Sequence, residues 1–209
     1  MEEIAGNLTE VRNRISAACA RSGRTASEIC LIAVSKTFPA AAVREAAAAG
    51  QLHFGESRWQ EAQPKIESLP GSLHWDFIGR LQQNKLRKIL PCCERIHAVD
   101  SFALAAGMNE IARDLGLFPQ VFLQVNVGAE ASKGGFEPAM LHAEINRLLA
   151  LERLEILGLM CIPPPGPDPA SARPWFVALR RLRDTLAAEC GVPLTGLSMG
   201  MSGDFEVAI

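Results

Sequence analysis

Residues 30–36 read Cys30-Leu31-Ile32-Ala33-Val34-Ser35-Lys36, a continuous apolar run that ends in a serine and a lysine. A short run without polar alternation is typical of a parallel strand that helices cover on both faces. The preceding segment places apolar residues at steps of three and four from Ile4 to Ala18, which predicts a helix that ends near Gly23. The sequence therefore predicts a helix followed by a buried parallel strand.

The same alternation of helical patterns and apolar runs continues along the chain. Further helices are predicted from Ala40 to Ala49 and through Trp59, Ala62 and Ile66. Further strands are predicted at residues 52–54, 74–78, 95–99, 120–125, 154–160 and 194–197. Such alternation indicates an α/β fold with a parallel sheet, which right-handed crossovers either close into a barrel or leave open and doubly wound.

Small or polar residues follow nearly every predicted strand, and they favour the barrel. They are Lys36, Gly55-Glu56-Ser57, Gly79-Arg80, Asp100-Ser101, Asn126 and Ser198. In a (β/α)8 TIM-barrel-like fold these positions meet on one rim, where ligand groups are placed. Because the sequence predicts seven strands, we expect the eighth to be missing. Residues 1–209 are then one barrel domain that is incomplete at its C-terminal end.

Composition limits the possible partners. Charged residues make up 21% of the 209 residues and the formal net charge is −2, so neither nucleic acid nor an anionic membrane is favoured. The acidic start is unlike a secretory signal, and no apolar stretch is long enough to cross a bilayer. We therefore expect a cytoplasmic protein whose six cysteines stay reduced and serve as packing residues.

Two segments carry groups suited to chemistry. Lys36 leaves an apolar strand, where desolvation disfavours the charged amine and so favours attack on an aldehyde. Residues 197–204 run from a strand through glycine and serine, where free amides and hydroxyls bind a phosphate group. The plainer alternatives are a solvent-facing lysine at position 36 and a simple N-cap at Ser202.

A series of short motifs resembles the YggS/PROSC family of pyridoxal 5'-phosphate (PLP) homeostasis proteins, which share the fold of the alanine racemase N-terminal domain. The motifs lie at residues 33–37, 54–56, 77–85, 99–101, 124–126, 132–135, 158–160 and 197–202. The resemblance implies a PLP-binding protein in which Lys36 forms the Schiff base. The other cofactor-binding residues that it implies are Ser57, Ser198, Met199, Gly200, Met201 and Ser202.

The sequence departs from the family pattern in three places. Ser57 replaces the asparagine of Gly-Glu-Asn, and Asp76 replaces the histidine of Trp-His-Phe, so we expect binding to survive with altered orientation or affinity. The family's final strand with its Arg-x-Gly motif is missing. If the polypeptide ends at Ile209, we expect weak or absent binding, and if it continues we expect the family's behaviour.

A Schiff base on Lys36 is compatible with two functions, a cofactor carrier and a PLP-dependent enzyme. A racemase of this fold needs a second acid or base, usually a tyrosine from another domain, and this sequence contains no tyrosine. We therefore favour a monomeric cofactor carrier without turnover, which acts in intracellular PLP homeostasis and has PLP-dependent apo-enzymes as further partners. The alternatives are a PLP-dependent racemase or lyase and, less favoured, a class I aldolase that uses Lys36 without a cofactor.

Overall fold

The computed structural model describes residues 2–128 and 134–209, which form one parallel sheet wrapped by helices. The strands are β1 Ala33–Val34, β2 His53–Glu56, β3 His74–Phe77, β4 Arg95–Val99, β5 Gln120–Gln124, β6 Glu155–Met160 and β7 Gly196–Ser198. The helices are α1 Glu2–Ser22, α2 Ala40–Ala48, α3 Trp59–Ser68, α4 Leu86–Ile89, α5 Phe102–Leu115, α6 Pro138–Leu149, α7 Arg173–Cys190 and α8 Phe205–Ala208.

The strands follow their chain order across the sheet, and every neighbouring pair is parallel. Each β-to-β connection contains a helix, as parallel pairing requires. In the described residues the ladder runs from β1 to β7 without joining these two strands to each other. The predicted seven-strand α/β fold is therefore confirmed.

The sheet is strongly curled. His97 on β4 and Ser198 on β7 form a 2.7 Å side-chain hydrogen bond, although β5 and β6 lie between the two strands. In a flat sheet three strand spacings would separate them by roughly 14 Å. Beyond the sheet edges, Arg14 of α1 also pairs with Glu206 of α8 at 3.0 Å. The strands thus curve into a partial barrel with an inner and an outer face.

Apolar side chains pack between the outer face and the helices. Phe54, Ile96 and Leu159 come from β2, β4 and β6 and are at most 1% exposed. Two helices contribute Met108 and Leu179, which are fully buried in the same cluster. Burial of this kind supplies the main free energy of folding, so the outer face holds the architecture together.

Two details of the sequence prediction are wrong. The first strand covers only Ala33–Val34 rather than residues 30–34, because a strand at the sheet edge has one neighbour to pair with and this ladder joins only two residue pairs. Cys30 is also exposed instead of packed, whereas Cys19, Cys93 and Cys161 are buried thiols as expected. Across the described residues, no helix has both the length and the apolarity needed to span a membrane.

Candidate functional site

Lys36 lies in an exposed turn at the carboxyl end of β1, so the expectation that its amine is desolvated is wrong. The extended chain continues through Ser35, whose N–H donates to the Gly55 carbonyl of β2 at 3.0 Å. Thr37 then takes the left-handed conformation with φ of 68°, which is uncommon for a residue with a side chain. The Thr37 N–H donates to Glu61 Oε2 at 2.9 Å, so α3 fixes the turn that presents the lysine.

A buried polar cluster lies directly beneath this turn. Lys65 Nζ donates to Glu56 Oε1 at 2.6 Å and to the Ser35 carbonyl at 2.7 Å, and Ser35 Oγ donates to Glu56 Oε1 at 2.6 Å. The two charged side chains are 9% and 2% exposed. Since buried charges are costly unless they are paired, this cluster ties β1, β2 and α3 together behind Lys36.

The turn after β7 contains unoccupied backbone donors. Gly200 has φ of 90°, and a Cβ there would lie 2.9 Å from Ala208 Cβ and 3.0 Å from Phe205 Cα, so only glycine suits the position. In the part of the chain that the structure describes, the N–H groups of Gly200, Ser202 and Gly203 have no hydrogen-bond acceptor. Unoccupied backbone amides in a glycine-containing turn are donors of the kind that bind an anion.

One amide of the turn is already occupied. Met201 N–H donates to Asp204 Oδ1 at 2.6 Å, and the carboxylate therefore stands beside the free amides. The helix that follows, α8, has only four residues, so the turn itself rather than a long helix dipole supplies the donors. Met201 and Ser202 are exposed, while Met199 and Gly200 are half-buried.

Ser57 follows β2 on the same rim as Lys36 and is half-buried. Its carbonyl oxygen lies 2.1 Å from the point where Gly79 would carry a Cβ, so any larger residue at position 79 would displace the Ser57 backbone. The glycine that follows β3 thus brings the ends of β2 and β3 close together. Ser57, Lys36 and Ser198 all follow or end strands of one sheet, but whether they face a common cavity stays a prediction.

A cavity of about 240 Å³ opens at the ends of β3 to β6. Arg80, Asp100 and Gln124 line it together with the apolar Ile78, Ala98 and Ile162. None of the seven residues that the sequence predicted as cofactor-binding lines this cavity. The cavity therefore lies at the ends of the middle strands, and the predicted cofactor-binding residues lie at the ends of β1, β2 and β7. Of the motif at residues 132–135, Ser132 and Lys133 lie outside the described residues.

A second polar cluster, which the sequence analysis did not identify, fills the inner face of the sheet. Asp76 is fully buried and accepts hydrogen bonds from Arg95 Nε at 2.6 Å and Arg95 Nη2 at 3.0 Å. His97, 2% exposed, joins Asp76 Oδ1 through Nε2 at 3.1 Å and Ser198 Oγ through Nδ1 at 2.7 Å. Polar residues inside predicted strands β3 and β4 were the available sign of this cluster.

The charge state of Asp76 follows from its partners. Burial raises the pKa of this carboxyl group, but hydrogen bonds from His97 and Arg95 and the guanidinium charge together hold the pKa below its ordinary value of 3.8. The same carboxylate raises the pKa of Arg95 despite desolvation, which acts in the opposite direction. Asp76 is therefore an anion that only accepts hydrogen bonds at neutral pH.

His53, His74 and Glu94 place potential metal ligands within 4.8 Å of one another at the amino end of the sheet. The two rings are stacked with centroids 4.5 Å apart and planes 16° from parallel, so their in-plane lone pairs do not converge on one point. His53 Nδ1 also lies 2.8 Å from Arg95 Nη2, whose positive charge opposes a cation. The arrangement does not favour a metal centre.

Comparison with known proteins supports the fold and identifies the family. The alanine racemase N-terminal domain family matches residues 6–208. The pyridoxal phosphate homeostasis protein of Aquifex aeolicus is 43% identical over 203 residues, which cover 97% of this chain and 89% of that protein. The protein of that name from Pseudomonas aeruginosa is 44% identical over 213 residues, which cover 100% and 90%.

A solved structure is similar over nearly the same length. PipY of Synechococcus elongatus with PLP bound superposes with a TM-score of 0.81 and 42% identity, and covers 93% of this chain and 92% of that one. The likeness covers nearly the whole of both chains, and the neighbour's structure contains PLP.

Proposed function

This chain belongs to the family of pyridoxal phosphate homeostasis proteins, and we propose that it binds PLP reversibly through Lys36 and the turn at residues 198–202. The observation that carries the proposal is the set of three free amides at Gly200, Ser202 and Gly203, because a phosphate group needs such donors. The chain is also similar to PipY, whose structure contains PLP.

Lys36 supplies the amine in this proposal. Its turn is held from below by the Lys65–Glu56–Ser35 cluster and from the side by Glu61, so the backbone is ordered before a ligand arrives. Lys36 would hold PLP through its amine, and the cofactor would supply the aldehyde with which a neutral lysine amine reacts. The exposure of Lys36 leaves that amine accessible from solvent, as a protein that loads and releases a cofactor requires.

The turn after β7 holds the phosphate group in this proposal. Ser198 and Ser202 add hydroxyl groups to the free amides, and Met199 and Met201 are their neighbours in the chain. The Asp204 carboxylate competes for the Met201 amide, so it has to leave that amide before an anion can take its place. Ser57, which directly follows β2, is the last of the residues that we propose to bind the cofactor.

We favour a carrier over an enzyme. The relatives are named for PLP homeostasis, and the sequence holds no tyrosine to act as a second acid or base. The proposed partners are therefore PLP and the apo-enzymes that receive it, and we propose that the carrier is a monomer of one barrel domain in the cytoplasm.

The test is spectroscopic. Wild-type protein mixed with PLP should show the yellow absorbance of a lysine-bound cofactor, and borohydride should bleach the absorbance and add the cofactor mass irreversibly to the peptide that contains Lys36. Lys36→Ala should lose the absorbance and the mass addition, whereas the exposed Lys88→Ala should keep both. Equal labelling of the Lys36→Ala protein would contradict the assignment.

A turnover assay separates carrier from racemase. The loaded protein should not exchange the enantiomers of alanine or serine at enzymatic rates, typically about 1–10³ per second. Measurable exchange that disappears in Lys36→Ala would replace the carrier by the enzyme, while the cofactor assignment would stand.

A further inference from the structure

The inner polar cluster reaches the proposed phosphate site through one hydroxyl group. Asp76, His97 and Ser198 form a linear chain of hydrogen bonds, 3.1 Å and 2.7 Å long, that begins inside the barrel and ends at the carboxyl end of β7. Two residues further along the chain is Gly200, the first of the free amides. Ser198 thus links two parts of the molecule. Its hydroxyl group contacts His97 inside the barrel, and its backbone leads into the turn after β7.

The protonation of this chain is constrained from its inner end. Because Asp76 is an anion that only accepts, His97 Nε2 carries a hydrogen and donates it to Asp76. The other nitrogen, Nδ1, is then bare in the neutral ring and accepts the Ser198 hydroxyl hydrogen. In that state the Ser198 hydrogen points into the barrel and is not available to an anion at the rim.

A second state becomes available when the ring gains a proton from solvent. Nδ1–H then donates to Ser198 Oγ, and the Ser198 hydroxyl can turn outward and donate to the turn. The buried charge of the imidazolium would be compensated in part by Asp76, which lies in direct contact with it and is shared with Arg95. An arriving phosphate dianion needs hydrogen-bond donors, so it binds the protonated state better.

We propose that His97, held by Asp76, is a positioning residue that takes up a proton when the phosphate group binds and thereby turns the Ser198 hydroxyl toward it. This inference rests on the proposed function, since it assigns the phosphate of PLP to the turn after β7. By reciprocity, binding of the phosphate favours protonation as much as protonation favours binding.

The groups that face His97 come from every neighbouring strand. Asp76 and Arg95 lie on β3 and β4, and His53 Nδ1 contacts Arg95 from β2. Phe122 of β5 stacks on the His97 ring at 4.7 Å, and Ser198 approaches from β7. Desolvation and the Arg95 charge lower the pKa of His53, which keeps that ring neutral. Among these groups Asp76 is the anion in contact with His97, and Arg95 shares its charge.

The proton can be counted by calorimetry. Binding of PLP is compared with binding of pyridoxal, which has the aldehyde but no phosphate, in two phosphate-free buffers with different heats of ionisation. The wild-type protein should take up about one more proton with PLP than with pyridoxal, because imidazolium has one more N–H than imidazole. His97→Asn keeps an amide near the place of Nδ1 but cannot gain a proton, so this difference should disappear.

Two further variants locate the effect. Asp76→Asn removes the compensating charge and should weaken PLP binding roughly tenfold while pyridoxal binding changes by less than about threefold. His142→Asn is the matched control, since His142 is exposed on α6 and pairs with Glu189 at 2.6 Å. It should keep the wild-type proton uptake.

Nitrogen NMR of the wild-type protein needs no substitution at the site. The chain has four histidines, and the Nδ1 shift of His97 should move to the protonated value with PLP and not with pyridoxal. A bare Nδ1 with PLP bound, or equal proton uptake by wild type and His97→Asn, would overturn the inference and leave PLP binding intact. Failure of PLP to bind at all would instead refute the proposed function, and this inference with it.

Discussion

The two faces of the curled sheet have opposite chemistry. On the outer face Phe54, Ile96 and Leu159 pack against helices in a continuous apolar cluster. On the inner face Asp76 and His97 form buried hydrogen bonds, and the apolar cluster there contains only a few side chains. Apolar packing tolerates exchange of one hydrophobe for another, whereas each buried polar group requires a specific partner. The difference indicates that the outer face maintains the fold, while the inner face holds a few specific polar contacts.

The largest expected effect tests an exception to this division, the buried ion pair Lys65–Glu56 on the helix-covered side. Lys65→Met leaves Glu56 buried without its cation, and Glu56 Oε2 already has no hydrogen-bond partner among the described atoms. We expect a loss of about 3–5 kcal/mol in the free energy of unfolding. Urea titration followed by circular dichroism measures it.

A matched pair of variants defines the cause of that loss. Lys88→Met changes an exposed lysine and should alter stability by no more than about 0.5 kcal/mol. The double variant Lys65→Met with Glu56→Leu removes both charges and should recover most of the loss, since an apolar pair can replace a buried ion pair. A double variant as unstable as Lys65→Met alone would show that shape rather than unpaired charge causes the loss.

The strands that form the outer face could be predicted from the sequence, because the apolar pattern that defines a strand lies within a few neighbouring residues. Residues 95–99 were predicted as a strand and form β4 with the same bounds, since alternate apolar residues in a short run define a buried strand. Pairing determines strand ends and is not local, which is why β1 is shorter than its apolar run. Curvature is not local either, and no single segment of the sequence specifies it.

The next largest effect concerns the inner face. Asp76→Asn keeps the shape but removes the charge that Arg95 and His97 contact, so we expect a loss of about 1–3 kcal/mol at neutral pH. The pKa of Asp76 is lower in the folded protein than its ordinary 3.8, so its contribution is fully present above that pH. It is lost as the pH falls through the folded pKa.

The pH dependence checks the sign of this effect. The stability difference between wild type and Asp76→Asn should be present above about pH 5 and shrink below about pH 4. Urea titrations at a series of pH values measure it. A difference that grows on acidification would mean that the carboxyl group is protonated in the folded state, and the orientation assigned to His97 would fail.

The candidate site could be predicted only in part. Lys36 and the glycine-serine turn stand out because each follows a strand and carries groups with a recognisable chemistry. The hydrogen bond between His97 and Ser198 joins residues 101 positions apart and exists only because the sheet curls. His97 and Asp76 lie inside strands, where neighbouring residues give no indication of which side chain they meet across the barrel.

The smallest expected effect tests whether the two faces act independently. Ile96 lies on the outer face, fully buried, while its chain neighbours Arg95 and His97 point inward because successive side chains of a strand alternate. Ile96→Val removes one methylene from the outer cluster and should cost about 0.5–1.5 kcal/mol. The His97 nitrogen shifts, with and without PLP, should remain those of the wild type. A shift comparable to that caused by Asp76→Asn would mean that outer packing sets the inner hydrogen bonds, and the division between the two faces would no longer hold.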